Sequence, residues 1–432
     1  MRYHIITYGC QMNVHESEKI AGLLKKHGHK EGVGIDDADI IVFNTCCIRD
    51  TAEKRALGNI GALKKRKNAD KNLIIAVVGC MTQQKGFAEK LRAVYPFVDI
   101  ILGTNNLSLL PRLIELNDKK NAVKIEQDDT YDADAPVETF RTSYPNAWVN
   151  IMYGCNNFCS YCIVPYVRGR EISRKPADIL AEISFLLDGG YKEITLLGQN
   201  VNSYRYESFD FKYLLSKIAE TDKKFRLRFM TSHPKDFNRG VIDVIKSSKN
   251  ICKHIHLPAQ SGSDRILKLM NRSYTSAQYI DLAAAIYDNI DGALLSTDLM
   301  VGFPTETEED FDCTLGLVER CNFSQAFTFV YSPRAGTASA NMPDLSAEIK
   351  KSRITRLIKA QNKVTKAVSD GFKGKTLEIL IEDERDGRLV GRTDNGRLVS
   401  VEKSGGQKIG DFADVKILSS KSASLEGVFV GE

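Results

Sequence analysis

Three closely spaced thiols are the residues of this chain best suited to chemistry. Cys155, Cys159 and Cys162 lie in the run Cys-Asn-Asn-Phe-Cys-Ser-Tyr-Cys, a CxxxCxxC spacing. Thiolates are the usual protein ligands of iron–sulfur clusters, and three of them leave one iron of a four-iron cluster without a protein ligand. A small molecule could bind directly to that iron. The spacing therefore predicts a cluster that takes part in a reaction.

A structural zinc site is the main alternative for these thiols. Structural zinc normally has four Cys or His ligands, most often from CxxC pairs. The next histidine downstream is His233, so no fourth ligand lies nearby in the sequence. Ordinary buried cysteines are a second alternative, although three cysteines within eight residues form a dense group. We favour the cluster over both alternatives.

Length and composition limit what surrounds these thiols. The chain has 432 residues, 43% of them hydrophobic, which is more than one domain usually needs. No apolar stretch reaches about 18 residues and the first residues lack a signal-peptide pattern, so we expect a cytoplasmic protein without a membrane partner. Ten cysteines without a secretion signal indicate metal or catalytic use rather than disulfides. The net charge of +5 excludes little.

Short β-branched runs alternate with helical patterns over residues 1–117, the first predicted domain. The alternation predicts an open parallel α/β sheet flanked by helices. The predicted strands are 4–7, 39–44, 73–79 and 98–102, and the predicted helices are 16–26, 50–65, 85–95 and 107–116.

Cys10, Cys46 and Cys80 each fall at or just beyond the end of a different predicted strand of this sheet. The carboxyl ends of parallel strands lie at one edge, so these thiols are expected to converge and form a second three-cysteine site. Burial as ordinary small residues is the alternative, and strand-end geometry alone leaves both open. Cys47 adjoins Cys46, but successive residues point in different directions, so we favour Cys46 as the ligand.

The motifs around these cysteines sharpen the interpretation. They are Tyr8-Gly-Cys-Gln-Met-Asn13, Asn44-Thr-Cys-Cys-Ile-Arg49, Gly79-Cys80-Met81, and the signature from Tyr153 through the CxxxCxxC run to Val167-Arg-Gly-Arg-Glu171. Together they resemble the radical S-adenosylmethionine methylthiotransferase family. The first motifs resemble the branch of that family that acts on isopentenyladenosine beside a tRNA anticodon.

The resemblance implies two 4Fe–4S clusters and S-adenosylmethionine as cofactors. The cluster on Cys155, Cys159 and Cys162 would cleave S-adenosylmethionine, with Tyr161 packed nearby, and yield a radical that removes hydrogen from carbon 2 of adenine. The second cluster, on Cys10, Cys46 and Cys80, would carry sulfur that another S-adenosylmethionine methylates. The implied partners are a tRNA anticodon loop bearing isopentenyladenosine and a low-potential electron donor.

Two other functions stay open at this stage. An enzyme of the same family could methylthiolate threonylcarbamoyladenosine in tRNA, or a ribosomal protein. A protein of another class, a non-catalytic iron–sulfur RNA-binding protein, would need no open iron. Cleavage of S-adenosylmethionine after anaerobic reduction separates the last class from the enzymes.

A polar segment, 118–146, with Asp128, Asp129, Asp132 and Asp134, predicts a linker to a second domain, 147–368. Six alternating units there predict an incomplete (βα)6 TIM-like barrel, with strands ending near Tyr153, Gln199, Ser232, Ala259, Val301 and Tyr331. Barrel chemistry lies at the carboxyl ends of the strands. The candidate contacts to S-adenosylmethionine are therefore Gln199, Asn200, Gln260, Ser261 and Asp298. Capping of the next helix is an equal alternative for each.

The last part of the chain carries the signal for nucleic acid. Residues 350–375 hold nine basic residues against one acid, Asp370. Their apolar residues follow helical spacing and predict a packed face opposite a positive one, namely Ile354, Leu357, Ile358, Val364 and Val368. A positive face attracts phosphates, although it is often only solvated surface.

Strand patterns at 376–382, 388–392 and 397–402, with the hairpin signal Asp394-Asn-Gly396, predict a small C-terminal β-barrel in a third domain, 369–432. This barrel resembles the TRAM domain, an RNA-binding module. Small barrels of this kind can present strand faces and loops to RNA.

Overall fold

The structure is a computed structural model that describes residues 1–47, 50–116, 122–124, 141 and 143–431. The predicted linker and its aspartates fall mainly outside these described residues. The chain divides into two compact units. The first comprises Met1–Thr142, Met152–Phe158 and Cys162–Arg174, and the second comprises Ser143–Ile151, Cys159–Tyr161 and Lys175–Glu432.

The first unit is built on a parallel sheet, as predicted, but with six strands rather than four. The strand Lys30–Glu31 was not predicted, and the strand Ala122–Lys124 lies within the segment predicted to be a linker. The strands of the sheet, in the spatial order β2-β1-β3-β4-β5-β6, are β1 Arg2–Thr7, β2 Lys30–Glu31, β3 Ile40–Thr45, β4 Ile74–Gly79, β5 Ile100–Leu102 and β6 Ala122–Lys124. Its helices are α1 Gln11–Lys26, α2 Asp50–Ala62, α3 Lys64–Ala69, α4 Phe87–Val94 and α5 Leu110–Glu115.

Helices cover both faces of this sheet because side chains alternate along each strand. Ile41 and Phe43 of β3 point into one core, whereas Ile40 and Val42 point into the other. The predicted helix at 50–65 is two helices, α2 and α3, which divide at Leu63. Helix α1 begins five residues earlier than predicted, at Gln11, directly after its N-cap residue Cys10.

A short ribbon and a helix complete the first unit. Strand β8, Met152–Tyr153, pairs with strand β9, Ile172–Ser173, and helix α6, Val164–Arg168, lies between them in the chain. We predicted that the first barrel strand would end near Tyr153, but it ends at Asn150. The chain then leaves the barrel, and Met152 and Tyr153 pair in the ribbon instead.

The second unit contains the predicted incomplete barrel. Its parallel strands are β7 Asn146–Asn150, β10 Glu193–Leu197, β13 Arg226–Phe229, β14 His254–His256, β15 Leu294–Val301 and β16 Gln325–Val330. The helices between them are α7 Pro176–Asp188, α8 Phe211–Ala219, α9 Arg239–Ser247, α10 Asp264–Leu269, α11 Ser276–Asn289 and α12 Glu308–Cys321. Two strands form a hairpin beside α8, β11 Arg205–Tyr206 and β12 Phe209–Asp210. A bridge between Leu227 and Ile251 joins the two three-stranded halves of the barrel.

The predicted small β-barrel closes in the order β17-β18-β19-β21-β20. Its strands are β17 Thr376–Arg385, β18 Arg388–Thr393, β19 Leu398–Glu402, β20 Phe412–Ser420 and β21 Ser424–Phe429. The turn after β18 packs against the amino ends of the large barrel's strands. Arg228 donates to the carbonyls of Thr393 (2.8 Å) and Asp394 (2.9 Å), and Asn395 donates to that of Gly292 (3.1 Å).

Helix α13, Ala347–Asp370, corrects one prediction. Its buried residues are Lys350, Arg353, Leu357, Gln361, Thr365 and Ser369. Only Leu357 belongs to the apolar face that we predicted, and Ile358 is exposed. The buried cations have acidic partners, because Arg353 pairs with Glu306 at 2.8 Å and Lys350 pairs with Asp344 at 2.6 Å. The periodicity of apolar residues therefore failed to predict a buried face made largely of paired charges, one amide and two hydroxyl side chains.

Within the described parts of the chain, no helix combines the length and the apolar character that a membrane-spanning segment needs.

Candidate functional site

The parallel sheet brings three cysteine-bearing strand ends to one edge. Strands β1, β3 and β4 are adjacent, and Cys46 and Cys80 directly follow the paired residues Thr45 and Gly79. The Cys80 amide donates to the Thr45 carbonyl at 3.0 Å. A Cβ added at Gly9, which has a φ of +127°, would lie 2.7 Å from the Cβ of Cys46, so the end of β1 lies against Cys46.

Two asparagines of the sequence motifs fix the relative positions of these ends. The Asn13 side chain donates to the Thr45 carbonyl at 3.0 Å, and the Asn44 side chain donates to the Asn13 carbonyl at 2.8 Å. Both side chains are buried. These bonds tie the first turn of α1, which follows Cys10, to the end of β3, which precedes Cys46.

Cys47 lies beside Cys80 rather than on the Gly9 side of the strand. The two residues pack together, and the interaction of their thiols raises the pKa of Cys47 and lowers that of Cys80. Cys47 and Cys80 also pack with Ile163, which directly precedes α6, and with Val167 of that helix. No sequence pattern predicted this contact.

A buried arginine contacts the same thiol. Arg168 Nε donates to Cys80 Sγ at 3.2 Å, and its Nη atoms donate to the Glu16 carboxylate at 2.7 and 3.3 Å. Burial would lower the pKa of Arg168, but Cys80 and Glu16 outweigh burial and hold it well above its ordinary value. Sequence reasoning missed both residues, although Arg168 stands inside the quoted motif that ends at Glu171.

Burial also raises the pKa of the Cys10 thiol, against the opposing effect of Arg168, and the charge of Cys80 adds to the rise. The two thiols are therefore close enough to influence each other. Cys10 stays half-buried as the N-cap of α1, with its Sγ 3.5 Å from Asn13 Oδ1.

The donors at this edge fit an iron–sulfur cluster, because thiolates are the usual protein ligands of such clusters. A four-iron cluster binds each thiolate on a different iron, so its ligands are more widely spaced than those of zinc. A guanidinium donor at a sulfur also fits, because hydrogen bonds to sulfur are a usual part of cluster sites.

The CxxxCxxC loop is held on one side by the segment that follows it. The Cys155 amide donates to the Gly169 carbonyl at 3.2 Å. Gly154 has a φ of +73°, and a Cβ there would lie 1.9 Å from the carbonyl oxygen of Arg170, so only glycine fits. Cys155 is buried and Cys162 is half-buried in the first unit.

In the second unit, Cys159 faces another buried arginine. Arg272 Nη1 lies 3.8 Å from Cys159 Sγ and 3.3 Å from the Tyr161 hydroxyl. The same guanidinium donates to the Pro258 carbonyl at 2.7 Å and to the Tyr274 hydroxyl at 2.6 Å. Burial alone would lower the pKa of Arg272, but Tyr274, Tyr161 and Cys159 raise it above its ordinary value. No sequence signal links Arg272 to the loop.

Buried polar atoms without partners mark the carboxyl ends of the barrel strands. Gln199 Oε1 and Asn200 Oδ1, beyond β10, have no hydrogen-bond partner within the described structure. The same holds for the Asn202 side chain and for Ser232 Oγ, which we did not predict. Buried polar groups are normally satisfied, so a polar ligand such as S-adenosylmethionine fits here.

The other barrel candidates have partners of their own, and Asp298 lies inside β15 rather than after its end as we predicted, whereas Gln260 and Ser261 lie beyond β14. Gln260 has a φ of +68° and forms a backbone bridge to Leu299. The Ser261 hydroxyl accepts from the Ser263 amide at 3.1 Å and lies 3.4 Å from the Thr314 hydroxyl. Asp298 Oδ1 lies 3.6 Å from His256 Nε2. Side-chain contacts thus distinguish Gln199 and Asn200, which retain unpaired atoms, from Ser261 and Asp298.

The positive charge of α13 is smaller than its sequence indicates. Beyond the buried Lys350 and Arg353, Arg356 pairs with Glu308, and Lys366 pairs with Asp370. Lys351, Lys359 and Lys363 remain exposed. They are the part of the predicted positive face that can attract a phosphate backbone.

Family models match all three parts of the chain. The Radical SAM superfamily matches residues 149–318, the Uncharacterized protein family UPF0004 matches residues 2–103, and the TRAM domain matches residues 372–430. Together with the incomplete barrel, these matches define a radical S-adenosylmethionine enzyme that carries a TRAM domain.

Relatives identify the family within that class. A tRNA-2-methylthio-N(6)-dimethylallyladenosine synthase of Thermoanaerobacter pseudethanolicus is 47% identical, covering 99% of this chain and 92% of that protein. One of Clostridium botulinum strain Langeland is also 47% identical, covering 98% and 96%. The chain belongs to the family of these synthases. The resemblance noted in the sequence is confirmed, and so are S-adenosylmethionine and 4Fe–4S clusters as the family's cofactors.

Solved structures support the fold alone. The radical S-adenosylmethionine methyltransferase TsrM from Kitasatospora setae, with cobalamin and a [4Fe-4S] cluster bound, has a TM-score of 0.56 at 12% identity. The match covers 78% of this chain and 74% of that one. The cobalamin-dependent S-adenosylmethionine radical enzyme OxsB has a TM-score of 0.52 and covers 84% and 56%. The mixed α/β fold that we predicted is therefore found in this superfamily.

Proposed function

We propose that this protein adds a methylthio group to carbon 2 of N6-isopentenyladenosine next to the anticodon of tRNA. The observation that carries the proposal is the presence of two separate thiol sites in a chain so similar to tRNA-2-methylthio-N(6)-dimethylallyladenosine synthases. An enzyme that only cleaved S-adenosylmethionine would need one site. The second thiol site matches the added requirement for a sulfur source.

We assign different tasks to the two groups of cysteines. When bound, the clusters supply reductive cleavage of S-adenosylmethionine to a 5′-deoxyadenosyl radical at one site, and sulfur for methylation by a second S-adenosylmethionine at the other. Cys155, Cys159 and Cys162 hold the first cluster, and the three cysteines of the sheet edge, Cys10, Cys46 and Cys80, hold the second. The chain's contribution is to orient the groups and to exclude water.

The barrel binds S-adenosylmethionine in this proposal. Gln199 and Asn200 have buried acceptor atoms that lack partners in the described structure, and these would pair with donor groups of the ligand. Tyr161 belongs to the same proposal because its hydroxyl lies beside Arg272, which lies beside Cys159. Gln260 and Ser261, beyond β14, and Asp298, inside β15, are secondary candidates.

The tRNA would bind through the TRAM domain and the exposed lysines of α13. These lysines attract the phosphate backbone irrespective of sequence. An anticodon loop suits an enzyme that acts on a base, because a single-stranded base leaves its stack more easily than one in a duplex. We further propose that the chain has three modules, with the bounds predicted from the sequence, 1–117, 147–368 and 369–432. The protein would be cytoplasmic, and a low-potential electron donor would be its partner.

The test is a reaction under anaerobic conditions. The reconstituted protein is incubated with S-adenosylmethionine, dithionite and tRNA carrying isopentenyladenosine, and the digested nucleosides are analysed by mass spectrometry. A methylthio adduct on that nucleoside is the expected result. A tRNA carrying threonylcarbamoyladenosine is the matched control and should stay unmodified.

Each alternative outcome is distinct. Deoxyadenosine without an adduct on either tRNA would keep the radical chemistry and reject the substrate. An adduct on threonylcarbamoyladenosine would show that this nucleoside is a substrate and would reject the proposed specificity. Neither product, with both clusters intact, would reject the catalytic proposal.

A further inference from the structure

Helix α6 carries a charged side chain into the thiol site of the sheet. Arg168, its last residue, is buried and is separated from Cys80 by 88 residues of sequence. Its Nε donates to Cys80 Sγ at 3.2 Å. Arg168 therefore reaches a sulfur atom that the proposed function assigns to the sulfur-carrying cluster.

The arginine is held in this position by a carboxylate. Glu16, on α1, accepts from Nη1 at 2.7 Å and from Nη2 at 3.3 Å, and both side chains are almost fully buried. The Val167 carbonyl also accepts from the Thr104 hydroxyl at 3.1 Å, which anchors the end of α6. The guanidinium has two of its donor groups engaged by the carboxylate and a third directed at sulfur.

We propose that Arg168 is a positioning residue that raises the reduction potential of the cluster bound by Cys10, Cys46 and Cys80, and that Glu16 opposes this effect. The proposal rests on the proposed function, because it takes Cys80 as a cluster ligand. Reduction adds one electron from an external low-potential reductant to the cluster. A cationic donor at a ligand sulfur stabilises the more negative reduced state, whereas a nearby carboxylate disfavours it.

The placement of the two charges gives them opposite effects. Arg168 contacts the sulfur itself, while Glu16 contacts only the guanidinium. Both act in a buried environment where solvent screening is weak. A purely structural ion pair would affect folding when either partner is removed, but would give no reason for opposite shifts in potential.

The experiment isolates this cluster in the full-length chain. Cys155, Cys159 and Cys162 are all replaced by Ala, and this parent protein is reconstituted anaerobically. Iron and sulfide content and the spectrum of the reduced protein establish a four-iron cluster, which Cys80→Ala should remove. The reduction potential is then measured by titration followed by electron paramagnetic resonance.

We expect Arg168→Met to shift the potential in the negative direction by at least a tenfold change in the reduction equilibrium, about 59 mV for one electron. Arg168→Lys, which keeps the charge, should recover much of the shift. Glu16→Gln should shift the potential in the positive direction. Arg170→Met is the matched control, since Arg170 is exposed and lies two residues along the chain, and it should leave the potential unchanged.

The outcomes distinguish failure of this proposal from failure of the proposed function on which it rests. If the parent assembles no cluster, the assignment of the thiols fails and the role of Arg168 fails with it. If the cluster forms but Arg168→Lys and Arg168→Met leave its potential unchanged, the role of Arg168 alone is rejected. Shifts of the same sign for Arg168→Met and Glu16→Gln would also reject it.

Discussion

The two thiol sites are each contacted by one buried arginine, but the two arginines have different partners. Arg168 lies at Cys80 and is paired with the carboxylate of Glu16. Arg272 lies at Cys159 and donates to a carbonyl and to hydroxyl groups. Among the described residues, no carboxylate forms an ion pair with Arg272.

The difference indicates how charge is distributed between the two kinds of chemistry. At Cys80 the formal charges of Arg168 and Glu16 sum to zero. At Cys159 no carboxylate among the described residues forms an ion pair with Arg272. A buried, uncompensated cation is costly unless an anion is bound beside it. An anionic thiolate cluster at the CxxxCxxC loop would meet that requirement, and the cation would in turn favour reduction at the site proposed to cleave S-adenosylmethionine.

The largest expected effects separate the two sites by their products. Cys159→Ala should abolish both deoxyadenosine and methylthio product, because no radical forms. Cys80→Ala should keep deoxyadenosine formation and abolish the methylthio product. Chromatography of the small molecules and mass spectrometry of the digested tRNA measure both in one reaction.

The control for these variants is Cys313→Ala. Cys313 is exposed on α12 and lacks the spacing of either site, so both products should persist. A folded Cys80→Ala variant that keeps the iron of the radical site but forms neither product would contradict the division of labour.

The next largest effect tests how much the Glu16 carboxylate stabilises the folded protein by pairing with the buried Arg168 guanidinium. Glu16→Gln should destabilise the protein by about 3–5 kcal/mol, because it leaves a buried guanidinium without its ion-pair partner. Urea unfolding of protein that has not been reconstituted with iron measures the change, since a bound cluster would supply another anion. Adding Arg168→Met to Glu16→Gln should restore most of the loss, because both charges are then gone.

Glu115→Gln provides the comparison for that measurement. Glu115 pairs with His27 at the surface, where both side chains are well exposed, so its loss should change stability by no more than about 0.5 kcal/mol. Equal effects of the two substitutions would show that the pair of Glu16 and Arg168 is no stronger than a surface pair.

A smaller effect is expected at the other arginine. Arg272→Met should cost no more than about 1–3 kcal/mol in the same iron-free protein. The Pro258 carbonyl and the Tyr274 hydroxyl lose a donor, but a buried cation without a carboxylate partner is also removed. Arg272→Lys should cost less, since it retains a charged donor. A loss for Arg272→Met as large as that for Glu16→Gln would contradict the contrast between the two sites.

The sequence predicted the thiols of both sites but not the arginines, for a physical reason. The carboxyl ends of parallel strands lie at one edge, so the pattern of strands was enough to predict that Cys10, Cys46 and Cys80 lie at the same edge of the sheet. Arg272 is separated from Cys159 by 113 residues, and which side chain fills such a space depends on packing that no local pattern records. The buried face of α13 was predicted wrongly for the same reason, because the acidic partner of its buried arginine is distant in sequence and the apolar spacing does not record it.

The smallest expected effect decides between the adjacent cysteines at the end of β3. Cys46 lies against Gly9 at the end of β1, whereas Cys47 packs with Cys80 and Ile163. In the protein that lacks the CxxxCxxC thiols, Cys46→Ala should lose the iron of the sheet site. Cys47→Ala should keep it, with a loss of stability of only about 1 kcal/mol.

Iron and sulfide analysis of the two variants side by side measures this difference, with the parent protein as reference. The two substitutions remove the same group from neighbouring positions, so only the direction of the side chain distinguishes them. Loss of iron from Cys47→Ala and its retention in Cys46→Ala would make Cys47 the ligand. The cluster would then be held by two thiols that already touch, and Arg168 would lie against that pair.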